Sequence, residues 1–350
     1  MKASYAHYTL HFHQPAGTSR GVLTDKETYF LKLEDEDMPG VFGLGECAVF
    51  RGLSADDVPA YEDKLRELCA NISADKETDL HEFPSIRFGL ETAINDFANG
   101  CRRQPFPSDF TEGMSAIPIN GLVWMGTKEE MLHRIDDKIK AGFTTIKLKV
   151  GAIDTESELD LVRHIRKVFP PEALTIRLDA NGGFTPDNAL QKLSDFARYG
   201  IHSIEQPIKQ GQWEAMRRIC SESPIDIALD EELIGIHTPE RMGEMLDAVR
   251  PKYIIILKPS LIGGFSGSQD WIMQAARRDI GGWVTSALES NVGLNAIAQW
   301  TAQLGARMPQ GLGTGALFTN NIGSPLEQVG EVLRFNPAKT WQLPELDWRQ

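Results

Sequence analysis

The rhythm of apolar and polar positions changes near residue 113. Before it, residues 7–12 and 27–33 (ETYFLKL) alternate or run apolar as strands do, and GVFGLGECAVF at 40–50 reads as a third strand. HQPAGTSRGVLTDK at 13–26 is polar and contains glycine, which predicts a flexible loop. Two helical patterns follow, DDVPAYEDKLRELCANI at 56–72 and SIRFGLETAINDFANGC at 85–101. Strands followed by helices predict a small α+β domain over 1–112. After it the pattern becomes strand, helix, strand, helix. Candidate strands are 117–123, 145–150, 174–180, 202–205, 226–230, 253–258, 282–287 and 310–312. Amphipathic stretches separate them, such as KEEMLHRIDDKIKAG and ESELDLVRHIRKVF. Short β-branched runs (TIRL, YIIILK) suit parallel strands buried on both faces. Eight such units over 113–313 predict a (β/α)8 TIM barrel. A doubly wound sheet fits five or six strands better, and no G-x-G-x-x-G follows a strand. The stretch 314–350 is too irregular for another unit and is predicted to pack back on the first domain.

Composition narrows the function classes. Across 350 residues, 49 acids face 36 Lys and Arg, a net charge of −13, which argues against a nucleic-acid partner. No run of 18 apolar residues exists, so no membrane span is expected, and the first residues lack the apolar core of a leader, which predicts a cytoplasmic protein. Cys47, Cys69, Cys101 and Cys220 form no C-x-x-C pair and no zinc spacing, so free thiols are expected.

Charge placement says more than charge count. TTIKLKV carries Lys147 and Lys149 at the end of the second barrel strand. Asp179 ends the third (TIRLDAN), Glu205 the fourth (SIEQP), Asp230 the fifth (IALDEEL) and Lys258 the sixth (IIILKP). One βα unit separates each from the next, so all arrive at the C-terminal mouth of the barrel, where barrel enzymes keep their sites. Three carboxylates in one mouth repel each other unless a cation lies among them. Hard oxygen ligands with open positions suit Mg²⁺ or Mn²⁺. Alternation puts Lys147 and Lys149 on one face of their strand, and likewise gives Arg177 and Asp179 a common face. A lysine crowded by other cations can serve as a base near neutral pH. This set reads as removal of a proton α to a carboxylate. Glu231 and Glu232 compete with Asp230 on these grounds.

Taken together, KLK (147–149), DAN (179–181), EQP (205–207), DE (230–231) and LKP (257–259) resemble the enolase superfamily, in its muconate-lactonising-enzyme-like branch. The resemblance spans nearly the whole chain. It implies a modified (β/α)7β barrel with an N-terminal α+β capping domain completed by the C-terminal segment. It further implies Asp179, Glu205 and Asp230 as metal ligands, Lys149 as the base on one face and Lys258 as the opposing lysine. Lys147 would hold a substrate carboxylate or tune Lys149, while Arg177, Asn181 and Glu231 would support the ligands from behind.

Within that branch, dipeptide-acting members hold the substrate ammonium with an Asp-x-Asp at strand eight. Here the place reads GLGTGALF, with Gly311 and Thr314, and glycine-rich backbone favours an anion instead. The strand-seven element with Ser286 and Glu289, and the GLGTG…FTNN…SPL run, look similar to the branch's dehydratases of menaquinone biosynthesis. These convert 2-succinyl-6-hydroxy-2,4-cyclohexadiene-1-carboxylate to 2-succinylbenzoate through a Mg-stabilised enolate, so the expected partner is a small dicarboxylate. N-acylamino acid racemisation or dipeptide epimerisation on the same scaffold is the alternative. Residues 14–31 match the mobile loop of that group, so Ser19 and Arg20 are candidates for the succinyl carboxylate. Phe50, Arg51 and Gly52 are candidates for a second lid, and Trp124 for the mouth. His11 and His13 share one strand face, with no carboxylate near in sequence to favour metal binding. EDEDM (34–38) reads as a solvated hairpin turn.

Overall fold

The computed structural model describes residues 1–18, 21–38, 40–250 and 253–350. A long hairpin of β1 (Lys2–Thr18) and β2 (Gly21–Glu34) pairs with β3 (Phe42–Cys47) in an antiparallel sheet of order β1-β2-β3. Helices α1 (Tyr61–Ser73) and α2 (Pro84–Ala98) bury one face of it through Tyr29, Leu31, Cys47, Leu65, Leu68 and Ile86. Small residues let α2 approach β3 closely. A Cβ on Gly45 would stand 1.9 Å from the Gly89 carbonyl oxygen, and one on Gly89 would stand 2.4 Å from Cys47 Sγ.

The loop expected over 13–26 is strand instead. β1 runs on to Thr18 and β2 begins at Gly21, with a register shift between His11 and Ala16. Ladder pairing is a backbone property, so polar side chains on an exposed extension do not prevent it. Ser19 and Arg20 lie outside the described residues.

β4 (Ala116–Pro118) precedes the parallel sheet. Seven strands follow, each but the last followed by a helix that precedes the next: β5 (Gly121–Val123), α3 (Lys128–Lys140), β6 (Thr145–Lys149), α4 (Thr155–Arg166), β7 (Thr175–Asp179), α5 (Ala189–Ala197), β8 (Ile201–Glu205), α6 (Trp213–Glu222), β9 (Asp226–Leu229), α7 (Pro239–Ala248), β10 (Tyr253–Leu257), α8 (Gly264–Ala276) and β11 (Gly282–Val284), after which comes α9 (Asn291–Gln303). Their order in the sheet is their order in the chain. The two edges are joined by Gln310 and Gly311, which bridge to Ile119 and Thr285 in parallel. The eighth strand is thus two residues long, and the ring is the modified barrel the resemblance implied.

The predicted strand at 117–123 is two pieces. Pro118 has no N–H to extend a ladder, and the chain changes partner there. β4 pairs with β13 (Val332–Phe335), itself paired with β12 (Leu326–Val329), while β5 enters the barrel. Trp341, Leu343, Leu346 and Trp348 then pack against Phe30 and Leu44 of the first sheet, and Arg349 bridges to Tyr5. Among the described residues no helix is long and apolar enough to cross a membrane.

Two carboxylates of the N-terminal domain seat it on the barrel. Glu91 of α2 accepts from the Phe265 and Ser266 N–H groups at the start of α8, at 2.6 and 3.2 Å. Glu46 of β3 does the same at α9. An anion at a helix N-terminus satisfies amides that have no partner within the helix.

The close approach of α2 to β3 is testable. Gly45→Ala should lower the unfolding free energy by about 3 kcal/mol, because the methyl meets backbone rather than a movable side chain. Urea unfolding should show a lower midpoint at unchanged slope.

Candidate active site

Side chains alternate along β6, so Ile146 and Leu148 enter the apolar layer under the helices while Lys147 and Lys149 point into the barrel. Parallel pairing then sets Lys149, Asp179 and Glu205 side by side, as direct Cα partners on β6, β7 and β8. Asp230 follows β9 and Lys258 follows β10. All six charges, Lys147 included, are buried.

Ammonium and carboxylate groups interleave. Lys147 Nζ donates to Glu205 at 2.5 Å and lies 2.8 Å from Asp179. Lys149 Nζ donates to Asp179 and to Asn181 Oδ1, both at 2.6 Å. Lys258 donates to Asp230. Among the described residues no three His, Cys, Asp or Glu side chains are gathered closely enough to hold an ion, since the ammoniums stand among the carboxylates. The donor chemistry nevertheless fits a hard divalent cation. Three carboxylates supply the oxygens, and Glu205 Oε1 is buried with no hydrogen-bond partner, an acceptor left for something else.

The fields separate the three lysines. Burial pushes the Lys149 pKa down, and neighbouring Lys147 and Lys258 push the same way against Asp179, leaving it below the ordinary lysine value. Burial also acts on Lys258, but Asp230 and Glu205 outweigh it and hold that pKa above the ordinary value. Lys147, between Asp179 and Glu205, is likewise raised. Asp179 is buried, yet the three lysines hold it below the usual carboxylate range. Glu205 is pushed up, by burial first and then by Asp179.

Strained backbone frames the cluster. Asn181 and Gln206 have φ of 45° and 39°, in the left-handed region. Asn181 donates from its amide to Asp179 and from Nδ2 to Glu231, each at 3.0 Å. Gln206 Oε1 accepts the Asp230 and Glu232 amides at 3.2 Å, and its Nε2 donates to Glu232 at 2.9 Å. Of the three acids after β9, Asp230 faces Lys258, Glu231 meets Asn181, and Glu232 is turned to Gln206 and the Gly211 amide.

One cavity gathers Lys147, Lys149, Lys258, Asn181, Ser286, Gly311 and Thr314. Ser286 and Thr314 share a hydrogen bond of 2.6 Å. Phe50 and Trp124 line the same cavity, and Lys149 Nζ lies 5.8 Å from the Trp124 ring centroid. Arg51 does not line it; it pairs with Glu27 and Asp57, both at 2.8 Å. Arg177 is buried deeper, 4.1 Å from the Trp283 ring and donating to the Pro309 carbonyl.

Glu289, expected at the substrate, is turned away. It is fully buried and accepts from Ser260 Oγ and from the Ala287 amide. Leu288, just before it, has φ 64°, in the left-handed region. His11 meets Asp25 across the hairpin, a partner hidden by the sequence distance between them. Sequence reasoning also missed Gln206, Asn120, Leu53 and Leu288. Gln206 sits inside the EQP motif and was open to notice; the others carry no chemical signal.

The interleaved charges depend on one another. Lys147→Met should lower stability by about 3 kcal/mol in chelator-containing buffer, because it strands buried carboxylates. An unchanged denaturation midpoint would refute this mutual neutralisation. The depressed Asp179 pKa fixes a sign: its stabilising contribution is whole above the ordinary value of 3.8 and is lost as pH falls below it toward the folded value.

Comparison with known proteins follows this geometry. Residues 130–324 match the family described as Enolase C-terminal domain-like. The chain is 45% identical over 367 aligned residues to the o-succinylbenzoate synthase of Desulfotalea psychrophila, covering 95% of this chain and 98% of that one. A crystal structure of MenC from the same organism superposes with a TM-score of 0.85 at 42% identity, covering 95% and 99%. An o-succinylbenzoate synthase from Thermosynechococcus elongatus, solved with Mg in its active site, superposes with a TM-score of 0.70 at 25% identity, covering 89% and 92%.

Proposed function

This chain belongs to the enolase superfamily, and on that premise we propose that it eliminates water from 2-succinyl-6-hydroxy-2,4-cyclohexadiene-1-carboxylate to give 2-succinylbenzoate, the activity of an o-succinylbenzoate synthase. The observation that carries the reading is one cavity holding three lysines whose upper walls bear no carboxylate. With the lysines already matched by Asp179, Glu205 and Asp230, it is the wall of Ser286, Gly311 and Thr314, bare of carboxylate, that offers nothing to a cationic amine and weighs against dipeptides.

Asp179, Glu205 and Asp230 are the residues that would hold Mg²⁺. When bound, the ion supplies positive charge where the substrate carboxylate gains negative charge. Lys149 Nζ is the base. Burial and its lysine neighbours favour its neutral form, and Asn181 Oδ1 orients it. It takes the C1 proton, and the C–H electron pair passes into an enolate of the carboxylate. The C6–O bond then breaks, and the hydroxyl leaves as water with the proton now on Lys149. The ring becomes aromatic, so the first step bears the main barrier. Lys258 stays protonated, since Asp230 holds its pKa up, and balances the enolate electrostatically from the opposite side. Lys147 keeps Asp179 and Glu205 apart. Phe50, Leu53, Leu122 and Leu288 keep water from the intermediate.

With Mg²⁺ and the cyclohexadiene, the fall in ultraviolet absorbance of the diene reads turnover. No turnover, together with racemisation of N-succinylamino acids, would sink the proposal. Lys149→Ala should reduce kcat by about 10⁴-fold or more at unchanged fold, judged by circular dichroism; substantial residual turnover would refute its role as base. The sign of the Lys149 shift makes kcat rise with pH along a limb centred below 10.5, and a limb at or above that value would remove the argument.

A further inference from the structure

Leu288 lines the cavity and carries φ 64°, the one aliphatic side chain among the described residues in the left-handed region. L residues avoid that conformation, so something must hold it. The residues on either side of it are held firmly. Glu289 accepts the Ala287 amide at 2.8 Å and the Ser260 hydroxyl, which closes the turn on itself and ties it to the loop after β10. Ser290 is gripped from the other domain. Glu46 accepts its amide at 2.9 Å and its hydroxyl at 2.5 Å, and takes the Gly293 amide at 2.8 Å. Thr28 on β2 donates a fourth bond to Glu46. Gly293 is required for this approach, since a Cβ there would stand 2.9 Å from Glu46 Oε2.

Both carboxylates are fully buried, and so is a cation that no hydrogen bond explains. Lys26 on β2 has no hydrogen-bond partner for Nζ, and the charges it feels are Glu46 and Glu289. Burial lowers its pKa, and Glu46 and Glu289 act against that. None of these groups touches the reacting lysines.

We propose that Glu46 and Glu289, with Lys26 as their buried counter-charge, are positioning residues that clamp the 286–290 turn in its left-handed form and so set the wall that Leu288 presents to substrate. The clamp decides fit, not chemistry, so its loss acts on KM.

The test is a double-mutant cycle on the full chain with Mg²⁺ and the cyclohexadiene. Glu46→Gln should raise KM about tenfold with kcat within twofold. In a Leu288→Gly background, where a positive φ carries no strain, the same change should move KM by less than twofold. A merely structural role would lower the melting temperature and the active fraction but leave KM alone. Equal KM changes in both backgrounds, an unchanged KM in the single variant, or a fall in kcat at constant KM would each overturn the clamp. If Glu46→Gln does not fold, Thr28→Val removes one donor at nearly constant volume. It should show the same non-additivity at about threefold, and additivity there overturns the proposal equally. The assay rests on the dehydration reading. An unmodified chain without turnover overturns that reading, whereas additive KM changes in an active chain overturn the clamp alone.

Discussion

Six buried charges in a barrel mouth must neutralise one another, and much of the structure serves that requirement. Asp179, Glu205 and Asp230 would be untenable together without Lys147, Lys149 and Lys258 or a cation of equal charge. Burying such groups is poor value for stability, because desolvation cancels most of the attraction. Their cost is offset by the apolar layers of the barrel and makes sense as chemistry. The register of β6, β7 and β8 puts the members level. Left-handed Asn181 and Gln206 turn the chain just beyond Asp179 and Glu205 and tie neighbouring strand ends together. The same crowding that raises Lys258 lowers Lys149, so one constraint gives two lysines different proton affinities.

The site was legible where chemistry coincided with period. A charge at the end of each of five successive strands announces a mouth, because no buried parallel strand would otherwise end that way. The N-terminal hairpin was not legible over 13–26, because a backbone ladder leaves no signature in polar side chains. The eighth strand was overread as three residues and the first as one unbroken run; closure needs only Gln310 and Gly311, and Pro118 divides the first. Glu289 was expected at the substrate from the resemblance of the strand-seven element; its carboxylate is instead taken by the Ala287 amide and the Ser260 hydroxyl, just after the left-handed Leu288.

The two domains meet through apolar packing, as of Phe88 on Phe265 and of Leu44 with Val292, and through buried carboxylates. Glu91 takes amides at the start of α8, which has no side-chain cap of its own, and Glu46 adds to the Ser290 cap of α9; these helices follow β10 and β11, beyond whose ends lie Lys258 and Ser286. Each carboxylate leaves water for amides that were waiting for an acceptor, which offsets the desolvation. The N-terminal domain therefore holds the starts of α8 and α9 and adds Phe50 and Leu53 to the cavity wall.

The pairings of Tyr5 with Arg349 and of Phe12 with Phe318 bind the beginning of the described chain to its far end. During synthesis the first sheet emerges early; the tip of its outer strand can meet Met125, but Tyr5, His11 and Phe12 wait for partners more than three hundred residues later. A growing polypeptide thus carries an open edge, ready to join a neighbour on the same message, for most of its translation. The charged side chains of Lys2 and Glu34 on that sheet, with Glu36 in the turn beyond it, are suited to discourage such joining in the interval.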